Sequence, residues 1–90
     1  MSMNGMIERA MEAERRKCLA ENDGELWLRA IDCHGVMVGR KYKRDNEAEA
    51  REMAKNYWTK PTFIYVEVFG VFEEGKLCVI YHEIEIGRAS

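Results

Sequence analysis

The segment TFIYVEVFGVF, residues 62–72, constrains the fold more than any other part of the chain, because it has the composition of a β-strand and no polar side. Along a strand, side chains alternate between the two faces of the sheet. The alternation predicts one face with Thr62, Ile64, Val66, Val68 and Phe72, and a second face with Phe63, Tyr65, Phe69 and Val71. Both faces of the sheet therefore have to be covered, either by this chain of 90 residues or by a partner.

The preceding sequence predicts two helices and a strand pair. Residues 4–20 consist mainly of helix-favouring residues, but their apolar stripe is thin, so we expect this helix to pack weakly or against another molecule. Residues 25–44 predict a hairpin that turns at His34 and Gly35, since glycine adopts the positive φ of tight turns. Residues 47–58 predict a second helix, capped by Asp45 or Asn46, with a continuous apolar stripe.

A second hairpin is predicted over residues 62–86, with its turn at residues 73–76. The fold class that follows is α+β. We expect one four-stranded antiparallel sheet, elements in the order α-β-β-α-β-β, and the second helix packed on one face of the sheet. The length of the chain fits a single domain over residues 1–90.

The composition predicts a cytoplasmic protein that does not enter a membrane. No apolar run approaches the roughly 18 residues of a membrane span, and residues 1–17 are too charged for a secretory signal. Three cysteines without paired spacing argue against a disulfide framework and for a reducing compartment. The net charge of -2 provides no overall field that would attract nucleic acid.

The uncovered face of the sheet gives the first hypothesis of function. If the second helix covers Ile64, Val66, Val68, Ile80 and Ile84, the opposite face carries Phe63, Tyr65, Phe69, Val71, Val79 and Tyr81, together with Trp27 and Ile31. The first helix folds across this face, or a second protein chain covers it, or each covers a part. We predict partner binding, most simply as a homodimer, with Phe63, Tyr65, Phe69, Tyr81 and Trp27 as buried anchors.

The segment RKYKR, residues 40–44, is the strongest local concentration of charge. Its basic residues Arg40, Lys41, Lys43 and Arg44 would contact phosphate in a nucleic-acid-binding protein, with Tyr42 or Trp27 as a stacking surface. The favoured interpretation is a solvated strand end, where lysines also discourage edge pairing. In a protein-binding module the same residues would steer an acidic partner.

Two cysteines and two histidines, Cys33, His34, Cys78 and His82, provide the ligand types of a zinc site or the groups of a thiol enzyme. Their spacing favours neither, because a zinc module brings its ligands in close pairs and no third group is placed to orient a catalytic histidine. We predict that the protein is not an enzyme and needs no metal or cofactor, and we keep a small Cys/His metal or thiol enzyme as the third hypothesis.

Residues 25–86, from LWLRAIDCHG through DNEAEAREMAKNYW to LCVIYHEIEI, resemble the β-β-α-β-β plan of small accessory proteins encoded by phages and mobile elements, some of which are anti-CRISPR inhibitors. The resemblance lies in the architecture, and no site residue is transferred from it. It implies a non-catalytic protein that inhibits a nucleic-acid-handling complex by covering its surface.

Overall fold

A computed structural model describes residues 3–21, 25–71 and 76–84 of the chain. Helix α1 covers Met3–Glu21 and precedes the hairpin of β1 (Glu25–Asp32) and β2 (Met37–Lys43). A short 3-10 turn, Arg44–Asn46, leads into α2 (Glu47–Trp58), and β3 (Phe63–Val71) and β4 (Leu77–Ile84) follow. The predicted α+β class, element order and antiparallel sheet are confirmed. The predicted stops of α1 at residues 22–24 and of β3 at residues 73–75 lie outside the described residues.

The four strands form one antiparallel sheet in the order β2-β1-β3-β4, so the two hairpins meet through β1 and β3 at its centre. Opposite residues of β1 and β3 include Trp27 with Phe69 and Arg29 with Glu67. The turn between β1 and β2 contains Gly35 at φ 83°, as predicted. Because β1 and β3 have a neighbour on both sides, they carry most of the buried residues, and β2 and β4 are the edge strands.

Helix α2 packs on the face of the sheet that presents Leu26, Leu28, Ala30, Val66 and Val68, which we call the α2 face. Ala50 and Ala54 on the helix are fully buried against it, since their small side chains let the helix backbone approach the strands. The helix occupies the predicted range, but Asn46 makes no capping hydrogen bond with its side chain. Asn46 is therefore the N-cap residue, as one of the two predicted candidates, but it does not cap the helix through its side chain, and a 3-10 turn leads the chain into the helix.

Helix α1 lies across the opposite face, which we call the α1 face. Its thin stripe of Ile7, Met11 and Cys18 is buried against an apolar cluster of Trp27, Ile31, Ile64, Tyr65 and Phe69. The rings of Trp27 and Phe69 stack with their centroids 5.9 Å apart. Of the alternatives left open by the sequence, the chain's own first helix is what covers the centre of this face.

Two β-bulges change the predicted alternation of side chains. One lies where Ile31 is opposite Tyr65 and Asp32 opposite Phe63, and it places Ile64 in the cluster under α1 and Phe63 against the α2 cluster. The other lies in β4 beside Val68 and Phe69, and it places Tyr81 on the α2 face and Ile84 on the α1 face. The predicted faces of these four residues are wrong, because strict alternation fails where a strand carries an extra residue.

Within the described residues, no helix is both long enough and apolar enough to cross a membrane.

Candidate functional site

A polar cluster lies at the centre of the apolar contact between α1 and the sheet. Glu67 on β3 has no exposed surface, and its two carboxylate oxygens accept hydrogen bonds from Arg15 on α1, at 2.7 Å from Nε and 2.5 Å from Nη2. The Tyr65 hydroxyl donates to the same carboxylate. Burial and this hydrogen bond hold the pKa of Tyr65 far above its usual value, and the hydrogen bond to Glu67 raises the pKa of Arg15.

The polar groups of this cluster therefore pair with one another. Arg15 stays positive, Tyr65 stays a neutral donor, and Glu67 has both oxygens occupied. A general base needs an acceptor that is free to take a proton from a substrate, and this arrangement offers none. The cluster joins α1 to the sheet, since Arg15 reaches Glu67 across the contact between them.

A second polar contact between α1 and the sheet lies beside the cluster of Arg15, Tyr65 and Glu67. Arg29 on β1 donates from Nε to Glu14 on α1 at 2.6 Å, and its Nη2 lies 3.4 Å from the sulfur of Cys18. Its path runs over Gly39 of β2, where a Cβ atom would stand only 2.8 Å from Cδ of Arg29. Burial raises the pKa of the Cys18 thiol despite the nearby guanidinium, so this cysteine is a poor nucleophile.

Helix α1 lies over β2, β1 and β3 rather than over β4. Its ion pairs reach Lys41 on β2, through Glu21 at 3.6 Å, Arg29 on β1 and Glu67 on β3. On the α1 side of β4, Leu77 remains 37% exposed and Val79 42% exposed, and His82 is exposed as well. The first helix therefore covers one part of the face and leaves the outer strand open.

The two edge strands differ in chemistry. Edge β2 carries Arg40, Lys41 and Lys43, all exposed, and charged edges of this kind resist pairing with another strand. Edge β4, from Leu77 to Ile84, has no lysine or arginine and consists mainly of apolar residues. Among the described residues, β4 has a strand neighbour on one side only. In this part of the chain its outer edge therefore carries no further strand and is largely apolar.

The five predicted partner-binding side chains do not share one surface. Trp27, Tyr65 and Phe69 lie beneath α1 with at most 2% of their surface exposed. Phe63 and Tyr81 are half-buried against the α2 cluster. A partner would reach the first three only after displacing α1, and their contact with another chain stays a prediction.

The basic segment is divided by the alternation of β2. Arg40 lies opposite Leu28, on the α2 face, whereas Lys41 lies opposite Trp27 and Lys43 opposite Glu25, on the α1 face. A hydrogen bond with Tyr57 is the main cause that raises the pKa of Arg40. Arg44 lies in the following 3-10 turn. The four cations are exposed but point to different sides of the sheet, and phosphate binding by them stays a prediction.

The Cys/His set is spread along the sheet. Cys33 and His34 lie at the end of the sheet where β1 turns into β2, and Cys78 lies opposite Gly70 at the other end. His82 packs edge-on to the Tyr65 ring, with the centroids 5.2 Å apart. In the part of the chain that the structure describes, no three His, Cys, Asp or Glu side chains converge as the ligands of a metal would. The three cysteines are free thiols.

Two concavities border α1. A groove of about 510 Å³ runs between the helix and β2, and four of its charged lining residues form ion pairs, Glu14 with Arg29 and Glu21 with Lys41, while Arg40 lines it as well. An apolar pocket of about 190 Å³ lies near Met6, Ile31 and Met37 at the other end of the helix. A charged ligand in the groove would have to compete with the ion pairs that hold the helix.

Sequence reasoning missed two features of this region. Glu67 is fully buried and paired with Arg15, and its position inside an apolar strand was the available signal. The open edge of β4 was also missed, although the absence of lysine and arginine between Leu77 and Ile84 distinguishes it from β2.

No protein-family model matches the chain, and no match was found among curated proteins or among solved structures.

Proposed function

We propose that the protein is a non-catalytic protein-binding module that adds a strand of its partner to the outer edge of β4. The observation that carries the proposal is the contrast between the two edges of the sheet, one basic and one apolar. Natural sheets that do not bind at an edge protect it with charge, proline, a β-bulge or a covering element. In the described residues, β2 has several exposed cations, whereas β4 has its bulge but no lysine, arginine or proline.

The proposed mode of binding is β-strand addition. The backbone N–H and C=O groups along the outer side of β4 supply the hydrogen bonds, and the side chains beside them supply selectivity. Leu77 and Val79, at 37% and 42% exposure, offer apolar contact on the α1 side of the strand, where α1 leaves room for a partner. Ile80 and Tyr81, half-buried on the other side, extend the apolar contact.

The polar groups of the interior support binding rather than catalysis. The buried carboxylate of Glu67 is paired with Arg15 and Tyr65, and Arg29 is paired with Glu14. These contacts stabilise the position of α1 and leave no activated nucleophile beside a base. Inhibition of a nucleic-acid-handling complex, which the resemblance to phage accessory proteins implies, is a finer proposal for the same edge.

Site-specific photo-crosslinking in the source cell tests the proposal. A photoreactive amino acid at Val79 is expected to give discrete protein adducts, and the same group at Val36, which is 54% exposed in the turn between β1 and β2, serves as the matched control. Adducts at Val79 that are missing at Val36 support strand addition at β4. Equal labelling at both positions, or no adduct at Val79, contradicts the proposal.

A further inference from the structure

The bulge in β4 restricts how this edge can pair with a second copy of the chain. On the α1 side of the strand lie Leu77, Val79, His82 and Ile84, and on the α2 side lie Cys78, Ile80, Tyr81 and Glu83. The change of parity occurs at the bulge, between Val79 and His82. Directly opposite residues of an antiparallel pair share a face, so a partner strand has to match this order of faces.

A second β4 strand matches that order in one antiparallel register. With a two-fold axis between Ile80 and Tyr81, Leu77 is opposite Ile84 of the second copy and Val79 is opposite its His82, all on the α1 side. Cys78 is then opposite Glu83, and Ile80 opposite Tyr81, all on the α2 side. A shift of two pairing positions in either direction places residues of different faces opposite each other near the axis.

The closed symmetry of this pairing and the charge of the β2 edge also favour pairing of β4 with β4. The pairing is isologous, so it closes after two chains, and it leaves the basic β2 strands as both outer edges of an eight-stranded sheet. A head-to-tail contact between β4 and β2 would instead continue without end and would meet Arg40, Lys41 and Lys43.

We propose that the chain forms a two-fold symmetric dimer through antiparallel pairing of β4 with β4 of a second copy, in the register that opposes Cys78 and Glu83. The proposal rests on the proposed function, since it names the partner strand for the same edge. The dimer buries Leu77 and Val79, which lie on the α1 face but beyond the part of that face that α1 covers.

Sedimentation measures the association. We expect the wild-type chain to reach twice its 10.5 kDa at micromolar concentration. Val79→Lys is expected to weaken the dimer roughly tenfold or more, since each dimer receives the change twice and tenfold corresponds to only about 1.4 kcal/mol. Val36→Lys is the matched control and is expected to leave the dissociation constant unchanged.

Disulfide formation tests the register without relying on a destabilised variant. In a Cys33→Ser background, Glu83→Cys places a thiol opposite Cys78 of the second copy, at the roughly 4.4–6.8 Å between Cα atoms that a disulfide spans. Mild oxidation is expected to give a covalent dimer. His82→Cys places its thiol on the other face, opposite Val79, and is expected to remain largely uncrosslinked.

Each remaining outcome contradicts the dimer. A wild-type chain that stays monomeric throughout, equal effects of Val79→Lys and Val36→Lys, or crosslinking of His82→Cys as fast as Glu83→Cys would overturn it. The photo-crosslinking experiment separates this failure from failure of the proposed function. Adducts at Val79 with another protein, and none of twice the chain mass, would keep strand addition at β4 and reject self-pairing.

Discussion

The contact between Arg15 and Glu67 allows a sharp test, because the neighbouring Arg16 forms an ion pair of similar length in a different environment. Glu67 has no exposed side-chain surface and Arg15 has 24%, whereas Arg16 and Glu12 are 76% and 58% exposed. The N···O distances are 2.5 Å and 2.6 Å. Comparing Arg15→Met with Arg16→Met therefore separates burial from pairing geometry.

The expected loss follows from leaving a buried carboxylate without its cation. Breaking a fully buried pair costs about 3–5 kcal/mol, and we expect about 2–3 kcal/mol for Arg15→Met, because its guanidinium is partly solvated and the Tyr65 hydroxyl still donates to Glu67. Arg16→Met should cost less than about 0.5 kcal/mol, since exposed pairs contribute little. The loss expected for Arg15→Met is a large fraction of the free energy of unfolding of a typical domain, which is about 5–15 kcal/mol.

Urea denaturation followed by circular dichroism gives the free energy of unfolding of each variant. Tryptophan fluorescence adds a local signal, because Trp27 is 1% exposed beneath α1. In the double variant with Glu67→Leu, part of the loss from Arg15→Met should be recovered, since no unpaired charge remains buried and only the Tyr65 hydroxyl has lost its acceptor. Equal stabilities of Arg15→Met and Arg16→Met, or a double variant as unstable as the sum of its single changes, would refute the reasoning.

Two further predictions concern the strands and the pH dependence of stability. Gly39→Ala is expected to lower the free energy of unfolding by about 1–3 kcal/mol in urea denaturation, because the new Cβ would stand 2.7 Å from the carbonyl oxygen of Leu28. At Gly35 a Cβ atom would meet no neighbouring atom, and only the positive φ of 83° disfavours a side chain, so Gly35→Ala should cost about 1–2 kcal/mol. A larger loss at Gly35 than at Gly39 would contradict the steric argument. Burial raises the pKa of the Cys18 thiol above its usual 9.0 and that of Tyr65 above 10.0. The folded state therefore keeps protons that the unfolded chain releases, so the free energy of unfolding should be highest below about pH 9 and fall as the pH rises above it. Urea denaturation at several pH values measures this decline, which should be smaller in a variant with Cys18→Ala and Tyr65→Phe. A free energy of unfolding that does not change with pH in the wild-type chain would contradict the prediction.

The elements were predictable because local signals define them. Helix α2 has the predicted residues 47–58, its apolar stripe being continuous, and Gly35 has the positive φ that the turn required. The faces of Phe63, Ile64, Tyr81 and Ile84 were not predictable, because the two bulges arise from how the strands pair and leave no mark in the alternation of the sequence.

The position of α1 depended on contacts that the sequence pattern does not reveal. Its apolar stripe predicted weak packing, but Arg15 and Glu14 add ion pairs to Glu67 and Arg29 that lie far away along the chain. For the candidate site, the apolar character of β3 was predictable, whereas the openness of β4 required the strand order β2-β1-β3-β4. Once that order is known, the contrast between Lys41 and Lys43 on one edge and Val79 on the other follows from the sequence.

The separation of Arg15 from Glu67 by 52 residues has a consequence for biosynthesis. On the ribosome, α1 emerges well before β3, which holds the carboxylate and the Tyr65 ring that α1 packs against. Hairpin β1–β2 can form meanwhile from neighbouring residues, but its Trp27 side chain has no stacked Phe69 until translation has passed that residue. Helix α1 can thus reach its final place only after β3 has been made, and in a nascent chain that stalls before β3 its apolar stripe lacks that cover.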